Sequence, residues 1–300
     1  MKNSLALLAC LALAGCGAGG AQENNKVSVV ATIAPVGEWV SQIACDYADV
    51  KVLAGEGIDP HSYQPTAKDM ALVAECDLFI YVGGESEEWA NDVIETVRTQ
   101  DAQNICLLDE LGDLAREEEI KEGMDAEEEG TIDEHVWLSL RNAQIFSAVI
   151  ADRLGEIDPA HVNAYKESKS KYCASLASLD RAYSAATANG GTLVFADRFP
   201  FRYLFDDYGL DYYAAFAGCS AETEASFSTV AFLAEKLDAL GSTHVMVIEG
   251  SDQKLAHTVI DATRDKDKEI LVMDSMQMGM TGTYLETMEK NLEVIQEALK

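Results

Sequence analysis

The chain has 300 residues, 48% of them hydrophobic, and a net charge of -30 from 52 acidic and 22 basic residues. Such a surface repels nucleic acid and anionic lipid headgroups while attracting cations. The apolar content suffices for one large domain or two ordinary ones, and no stretch of the body is long and apolar enough to span a bilayer.

The first sixteen residues stand apart from the fold. Lys2 gives a basic start, Leu5 to Ala14 an apolar run, and Leu13-Ala14-Gly15-Cys16 a small-residue cleavage site ending in cysteine. This arrangement resembles a bacterial lipoprotein signal in which Cys16 is lipidated; an ordinary secretory signal with an incidental cysteine is the alternative. Residues 17–25 read as a flexible tether. Cys45, Cys76, Cys106, Cys173 and Cys219 remain in the body without any Cys-x-x-Cys spacing, which argues against a zinc ribbon. Five is an odd number, so at least one stays unpaired, and Cys76 and Cys106 adjoin apolar runs as core fillers.

Beyond the tether, short apolar runs alternate with segments of helical period. Strands are predicted at Val27–Thr32, Val50–Leu53, Leu78–Val82, Ile105–Leu108, Thr192–Phe195, Tyr212–Ala217, His244–Ile248 and Ile270–Met273. Helices are predicted at Pro35–Ala44, Ala67–Ala74, Glu88–Thr99, Ala143–Leu154, Tyr203–Tyr208, Thr229–Leu240, Gln253–Thr263 and Tyr284–Ala298. This alternation implies an α/β fold of parallel sheets covered on both faces. One segment interrupts it. From the helix start at Asp158-Pro159 to the stop at Asn189-Gly190-Gly191 there is only helical pattern. A helix of about 28 residues spans about 42 Å, too long for a crossover within one small sheet, and reads as a connector between lobes. The expected organisation is an N-terminal lobe of residues 26–157, a linker helix over 158–187 and a C-terminal lobe of 188–300, with a ligand cleft between the lobes. Residues 113–134, rich in glutamate and poor in large apolar side chains, read as a mobile acidic loop.

Two of the five histidines occupy matched settings. His61 lies in Gly57-Ile58-Asp59-Pro60-His61-Ser62-Tyr63-Gln64-Pro65-Thr66, and His135 in Asp133-Glu134-His135-Val136-Trp137-Leu138. Neutral imidazole is the commonest protein metal ligand, and ligands of parallel sheets gather beyond the carboxyl ends of strands. Asp197 follows the fifth strand, Glu249 the seventh and Asp274 the eighth, so carboxylates from the second half can join the histidines. Asp197 and Asp274 could instead cap helices or turns. His161, His244 and His257 sit within regular elements and read as structural.

These segments together resemble the cluster A-1 (cluster IX) solute-binding lipoproteins of metal-ion ABC transporters, the zinc- and manganese-capturing family. The resemblance rests on Thr32-Ile33-Ala34-Pro35, the Asp-Pro-His and His-Val-Trp-Leu segments, Asn142-Ala143, Ser220-Ala221-Glu222-Thr223-Glu224-Ala225-Ser226, and Val272-Met273-Asp274. It implies that His61 and His135 are the N-lobe metal ligands and Asp274 the C-lobe carboxylate. The family's third ligand, a His or Glu, falls on Ala196, which cannot bind metal. Asp197 after a one-residue shift, Glu249, Glu222 or water would then complete the set. The family's frequent His-rich loop is replaced by the acidic 113–134 stretch.

The resulting expectation is a monomeric, lipid-anchored, extracytoplasmic receptor that captures Zn²⁺, or less favourably Mn²⁺, and hands it to an ABC permease. Zinc leads because imidazole sites bind it above manganese. Two other classes compete with it: a zinc-dependent hydrolase with water at the Ala196 vacancy, which no His-Glu-x-x-His motif supports, and a surface adhesin or receptor for an organic solute on the same anchor.

Overall fold

The computed structural model describes residues 26–97, 103–125, 131–220 and 224–300. The expected lipidation site Cys16 and its expected signal, the expected tether 17–25, and Glu222 lie outside the described residues. Among the described residues eight strands and ten α-helices follow one another: β1 Val27–Ala31, α1 Ala34–Ala44, β2 Ala48–Val52, α2 Ala67–Glu75, β3 Leu78–Tyr81, α3 Glu88–Val97, β4 Gln103–Cys106, α4 Leu107–Leu111, α5 Leu140–Ile157 and α6 Val162–Ala186 form the first part. The second comprises β5 Thr192–Phe199, α7 Arg202–Tyr208, β6 Asp211–Ala217, α8 Phe227–Leu240, β7 His244–Ile248, α9 Lys254–Ala262, β8 Glu269–Met273 and α10 Tyr284–Ala298.

The strands form two parallel four-stranded sheets, ordered β2-β1-β3-β4 and β6-β5-β7-β8. Inner strands such as β3 and β7 are buried along their whole length, as expected where helices cover both faces, whereas the edge strands β2 and β8 are largely accessible. In each sheet the chain reverses its direction of winding between the two central strands, at β1/β3 and at β5/β7. Such switch points open a crevice beyond the strands' carboxyl ends. The two-lobed α/β architecture is that expected from the alternation.

α6 runs 25 residues beside α5 and α1, about 38 Å at 1.5 Å per residue. Its start differs from a simple cap. Pro159–His161 makes a separate 3₁₀ turn, and the Asp158 carboxylate bonds the side chains of His161 (2.6 Å) and Tyr165 (2.7 Å). α10 returns from the second sheet to the first: Tyr284 packs edge-on to Trp39, at 5.3 Å between ring centres, and its hydroxyl donates to the Trp137 carbonyl at 2.6 Å. Tyr183 of α6 donates to the Met288 carbonyl of α10 at 2.6 Å. A single hydrophobic cluster therefore runs from the first lobe through α6 and α10 into the second. Burial of these aromatic side chains couples the lobes' relative position to core stability, because each contributes about 2 kcal/mol or more of transfer free energy.

Two expectations need correction. The fourth strand ends at Cys106 and Leu107–Leu111 turns into α4, a helix too short for its period to be visible. The described part of the 113–134 stretch is also no free loop. Glu117 pairs antiparallel with Ile132, the Glu118 and Asp133 N–H groups donate to Thr131 and Arg116 carbonyls at 2.8 Å each, and Asp125 N donates to Ala215 of β6 at 2.9 Å. The segment is a strap laid from the first lobe onto the second; Glu119 meets Arg202, Tyr212 and the strap's own Lys121, and the Tyr203 hydroxyl accepts the Arg116 N–H and donates to the Asp133 carbonyl.

Candidate metal site

Between the two switch points lies a cleft of about 680 Å³, lined by His61, Glu134, Ala196, Asp197, Cys219, Glu249 and Gln277 among others. Arg198 is the one Lys or Arg among the described residues lining it, against carboxylates from Asp59, Glu85, Glu134, Asp197, Glu249 and Asp252. A concave wall of one charge sign focuses potential and concentrates counter-ions, here cations.

His61 sits in a 3₁₀ turn, Pro60–Ser62, that Asp59 caps by accepting the His61 N–H at 3.0 Å. Burial works against a charge on Asp59, but the Arg198 guanidinium, 3.1 Å away in the other lobe, holds its carboxyl below the ordinary value. His135 precedes a second 3₁₀ turn, Val136–Leu138, and is fully buried. Asp133 accepts both its backbone N–H (2.8 Å) and its Nδ1 (2.9 Å). His61 Nδ1 meets Ser86 Oγ at 2.9 Å and lies 3.6 Å from the Glu134 carboxylate. With both Nδ1 atoms facing oxygen partners, the network assigns their protons to Nδ1 and leaves the Nε2 lone pairs as acceptors. Those two Nε2 atoms stand 3.1 Å apart. Burial first, and then the neighbouring imidazole, push His61 down to about 3, so it is neutral at physiological pH and competent as a ligand.

The point at which the lone pairs converge holds the Gln277 carboxamide nitrogen, 2.8 Å from His61 Nε2 and 2.7 Å from His135 Nε2. Its two N–H bonds serve one imidazole each, so a hydrogen-bond donor takes the place suited to a cation. Gln277 is held from behind: Glu249 accepts from Ser275 N (2.7 Å), Ser275 Oγ (2.7 Å) and Gln277 N (3.1 Å), and Trp137 Nε1 donates to the Ser275 carbonyl at 2.8 Å. Burial nevertheless pushes the Glu249 carboxyl above its ordinary value.

Sequence-derived residues thus divide. His61 and His135 meet at one point. Asp197 and Glu249 line the cleft, but with oxygens committed, Asp197 accepting from Arg198 N at 2.9 Å and Ile248 N at 3.4 Å. Asp274 does not line it; its carboxylate accepts Met276 N at 2.8 Å, and its backbone N–H and carbonyl are tied to Asn291 of α10. The structure therefore leaves Asp274 shaping the turn that leads to Gln277. His161, His244 and His257 are remote from the cleft lining.

One residue not singled out from sequence joins the histidines. Potential ligand atoms of His61, His135 and Cys219 all lie within 4.8 Å of one another. Cys219 follows the end of β6, and its N–H donates to Glu118 Oε1 of the strap at 2.8 Å. Gly218 beside it is required: a Cβ there would sit 2.8 Å from His135 Cε1 and 2.9 Å from the Phe199 carbonyl. Gly84 answers a similar need in the first lobe, combining φ of +83° with Glu134 packed where a Cβ would project. A strand-end cysteine beyond the second sheet was the available sequence cue.

The family model described as zinc-uptake complex component A, periplasmic (ZnuA), matches residues 29–298. The chain belongs to the ZnuA family. Among curated relatives it is 30% identical over 300 residues to the zinc-binding lipoprotein AdcA of Streptococcus pneumoniae (strain ATCC BAA-255 / R6), a match covering 98% of this chain but 60% of that one. It is 27% identical over 295 residues to the high-affinity zinc uptake system protein ZnuA of Bacillus subtilis (strain 168), covering 92% and 89%. The crystal structure of the Zn(II)-bound ZnuA-like domain of S. pneumoniae AdcA superposes with a TM-score of 0.73 at 29% identity, covering 91% of this chain and 99% of the domain. The ZnuA-family chain thus matches one whole domain of that longer relative.

Proposed function

We propose that this chain is the extracytoplasmic substrate-binding component of a zinc importer, capturing Zn²⁺ in the cleft and delivering it to an ABC permease. The observation that carries the reading is the pair of imidazoles whose Nε2 atoms converge at 3.1 Å. Two nitrogens on one tetrahedral zinc, each 2.0–2.1 Å from the metal, stand about 3.3 Å apart, so the pair needs only a few tenths of an ångström of adjustment. Asp133 and Ser86 fix the ring orientations, and the acidic cleft draws the cation in. On entry the ion takes the place of the Gln277 amide hydrogens.

Family membership and the zinc-binding relatives support the cargo, and imidazole ligands favour zinc over manganese in the general affinity order. The Leu13-Ala14-Gly15-Cys16 motif supports anchoring by a lipid on Cys16; among the described residues no helix is long and apolar enough to cross a membrane. The test is metal analysis of the full chain purified without chelator, followed by Zn²⁺/Mn²⁺ competition. One tightly held zinc per chain, displaced by manganese only in large excess, is expected. A chain that takes up neither ion would refute the proposal.

A further inference from the structure

We infer that Cys219 is the third metal ligand of this chain, making a His₂Cys site in which a thiolate takes over the role that Ala196 cannot fill. The inference rests on the zinc-capture reading and specifies how this chain performs it.

Three observations converge. Cys219 places its sulfur among the imidazole nitrogens of His61 and His135, all within 4.8 Å. For a tetrahedral zinc with Zn–N of 2.0–2.1 Å and Zn–S of about 2.3 Å, a sulfur-to-nitrogen separation of about 3.6 Å is needed, which a side-chain adjustment of an ångström supplies. The candidate carboxylates are otherwise engaged, since Asp197 and Glu249 accept backbone N–H groups and Asp274 points into its own turn. The surroundings of Cys219 are also built around it. Glu118 of the strap fixes its backbone, and Gly218 makes room for the His135 ring against the same turn. Cys219 follows the end of β6, the strand paired with the β5 that carries Ala196, and both residues line the cleft, so the second lobe still contributes a ligand.

Binding replaces the thiol proton by the metal: the S–H bond breaks, the sulfur keeps the electron pair and donates it to Zn²⁺, and the proton leaves to solvent. A soft thiolate selects zinc against manganese more strongly than a carboxylate would. The substitution pattern thus sharpens zinc preference, the opposite of what oxygen replacements at the vacancy would do.

The decisive experiment loads the full chain with Co²⁺ as a spectroscopic probe and titrates Zn²⁺ into wild type, Cys219→Ser and Cys219→His. Wild type should show the near-ultraviolet thiolate-to-cobalt charge-transfer band. Cys219→Ser should lose the band and lose more than about a hundredfold in Zn²⁺ affinity, exceeding the 10–100-fold typical of residues behind the ligands, while Mn²⁺ affinity changes far less. Cys219→His should restore zinc binding without the band. Tight cobalt or zinc binding by wild type with no thiolate band overturns the inference and leaves zinc capture standing, and the band needs no variant to fold. Absence of any metal binding by folded wild type removes the capture reading and the inference with it.

Discussion

The two lobes contribute to the site in different ways. The first presents its two histidines on short 3₁₀ turns, each held by the aspartate two residues earlier, His61 by Asp59 and His135 by Asp133. In the second, Ala196 offers no donor atom, the Asp274 carboxylate bonds within its own turn, and the histidines meet Gln277 and Cys219 from two different loops. A turn with its own capping aspartate carries its geometry within a few residues. The second half depends on long-range partners instead, with Glu118 reaching Cys219 and Glu249 reaching the 275–278 segment. The difference teaches that a turn carrying its own capping aspartate is set by a few neighbouring residues, whereas the second lobe's side of the site depends on contacts far apart in the chain.

Losing either imidazole should produce the largest effect. His61→Ala and His135→Ala are each expected to weaken Zn²⁺ binding by at least about a thousandfold, about 4 kcal/mol, well beyond changes behind the ligands. Isothermal titration with unchanged circular dichroism checks this. Affinity near that of wild type in either variant would show that the first lobe does not anchor the ion.

The first lobe also carries Glu87, fully buried, whose carboxylate accepts Val82 N at 2.6 Å and Gly83 N at 3.0 Å. Burial pushes it up to about 7 against those hydrogen bonds, with Glu134 adding repulsion. A folded-state value above the unfolded one means that folding takes up a proton. The associated stability is present in full below the unfolded value and is lost as pH rises to about 7. Between pH 5 and pH 8 denaturant unfolding of the metal-free chain should therefore lose up to about 3 kcal/mol that Glu87→Gln does not lose. Parallel pH profiles for the two proteins would disprove the assignment.

How much of this was legible beforehand follows the same division. All eight strands could be read because parallel strands covered on both faces are short continuous apolar runs, as in Leu78–Tyr81 and His244–Ile248. His61 and His135 were legible because Asp-Pro-His and Asp-Glu-His are local signals. Cys219 was not, since its meaning arises only when the strap and the β6 end meet. The strap was hidden by its glutamate-rich composition, which reads as a solvated loop until Arg202 and Tyr212 are found against it. Gln277 was missed because an amide among methionines, Met276-Gln277-Met278, carries no ligand pattern.

Smaller changes refine the contrast. Glu118→Ala removes the acceptor that fixes Cys219 N and should weaken zinc binding about tenfold, about 1.4 kcal/mol, without touching a ligand. Unchanged affinity by competition titration would return the strap to the role of a solvated acidic loop. Ala196→His should give the least: the residue lines the cleft but is 2% exposed and packs with Val194, Ala215 and Val247. A few-fold gain in zinc affinity is expected at a stability cost of about 1–3 kcal/mol for overpacking. A gain of several orders of magnitude would mean that the second lobe lacks a ligand in the native chain.

The most direct test of the central claim is diffraction from zinc-loaded crystals of this chain with anomalous data on both sides of the zinc absorption edge. The account predicts one peak bounded by His61 Nε2, His135 Nε2 and Cys219 Sγ, with the Gln277 amide nitrogen displaced. A zinc peak seated elsewhere, or bound without His61 and His135, would contradict it.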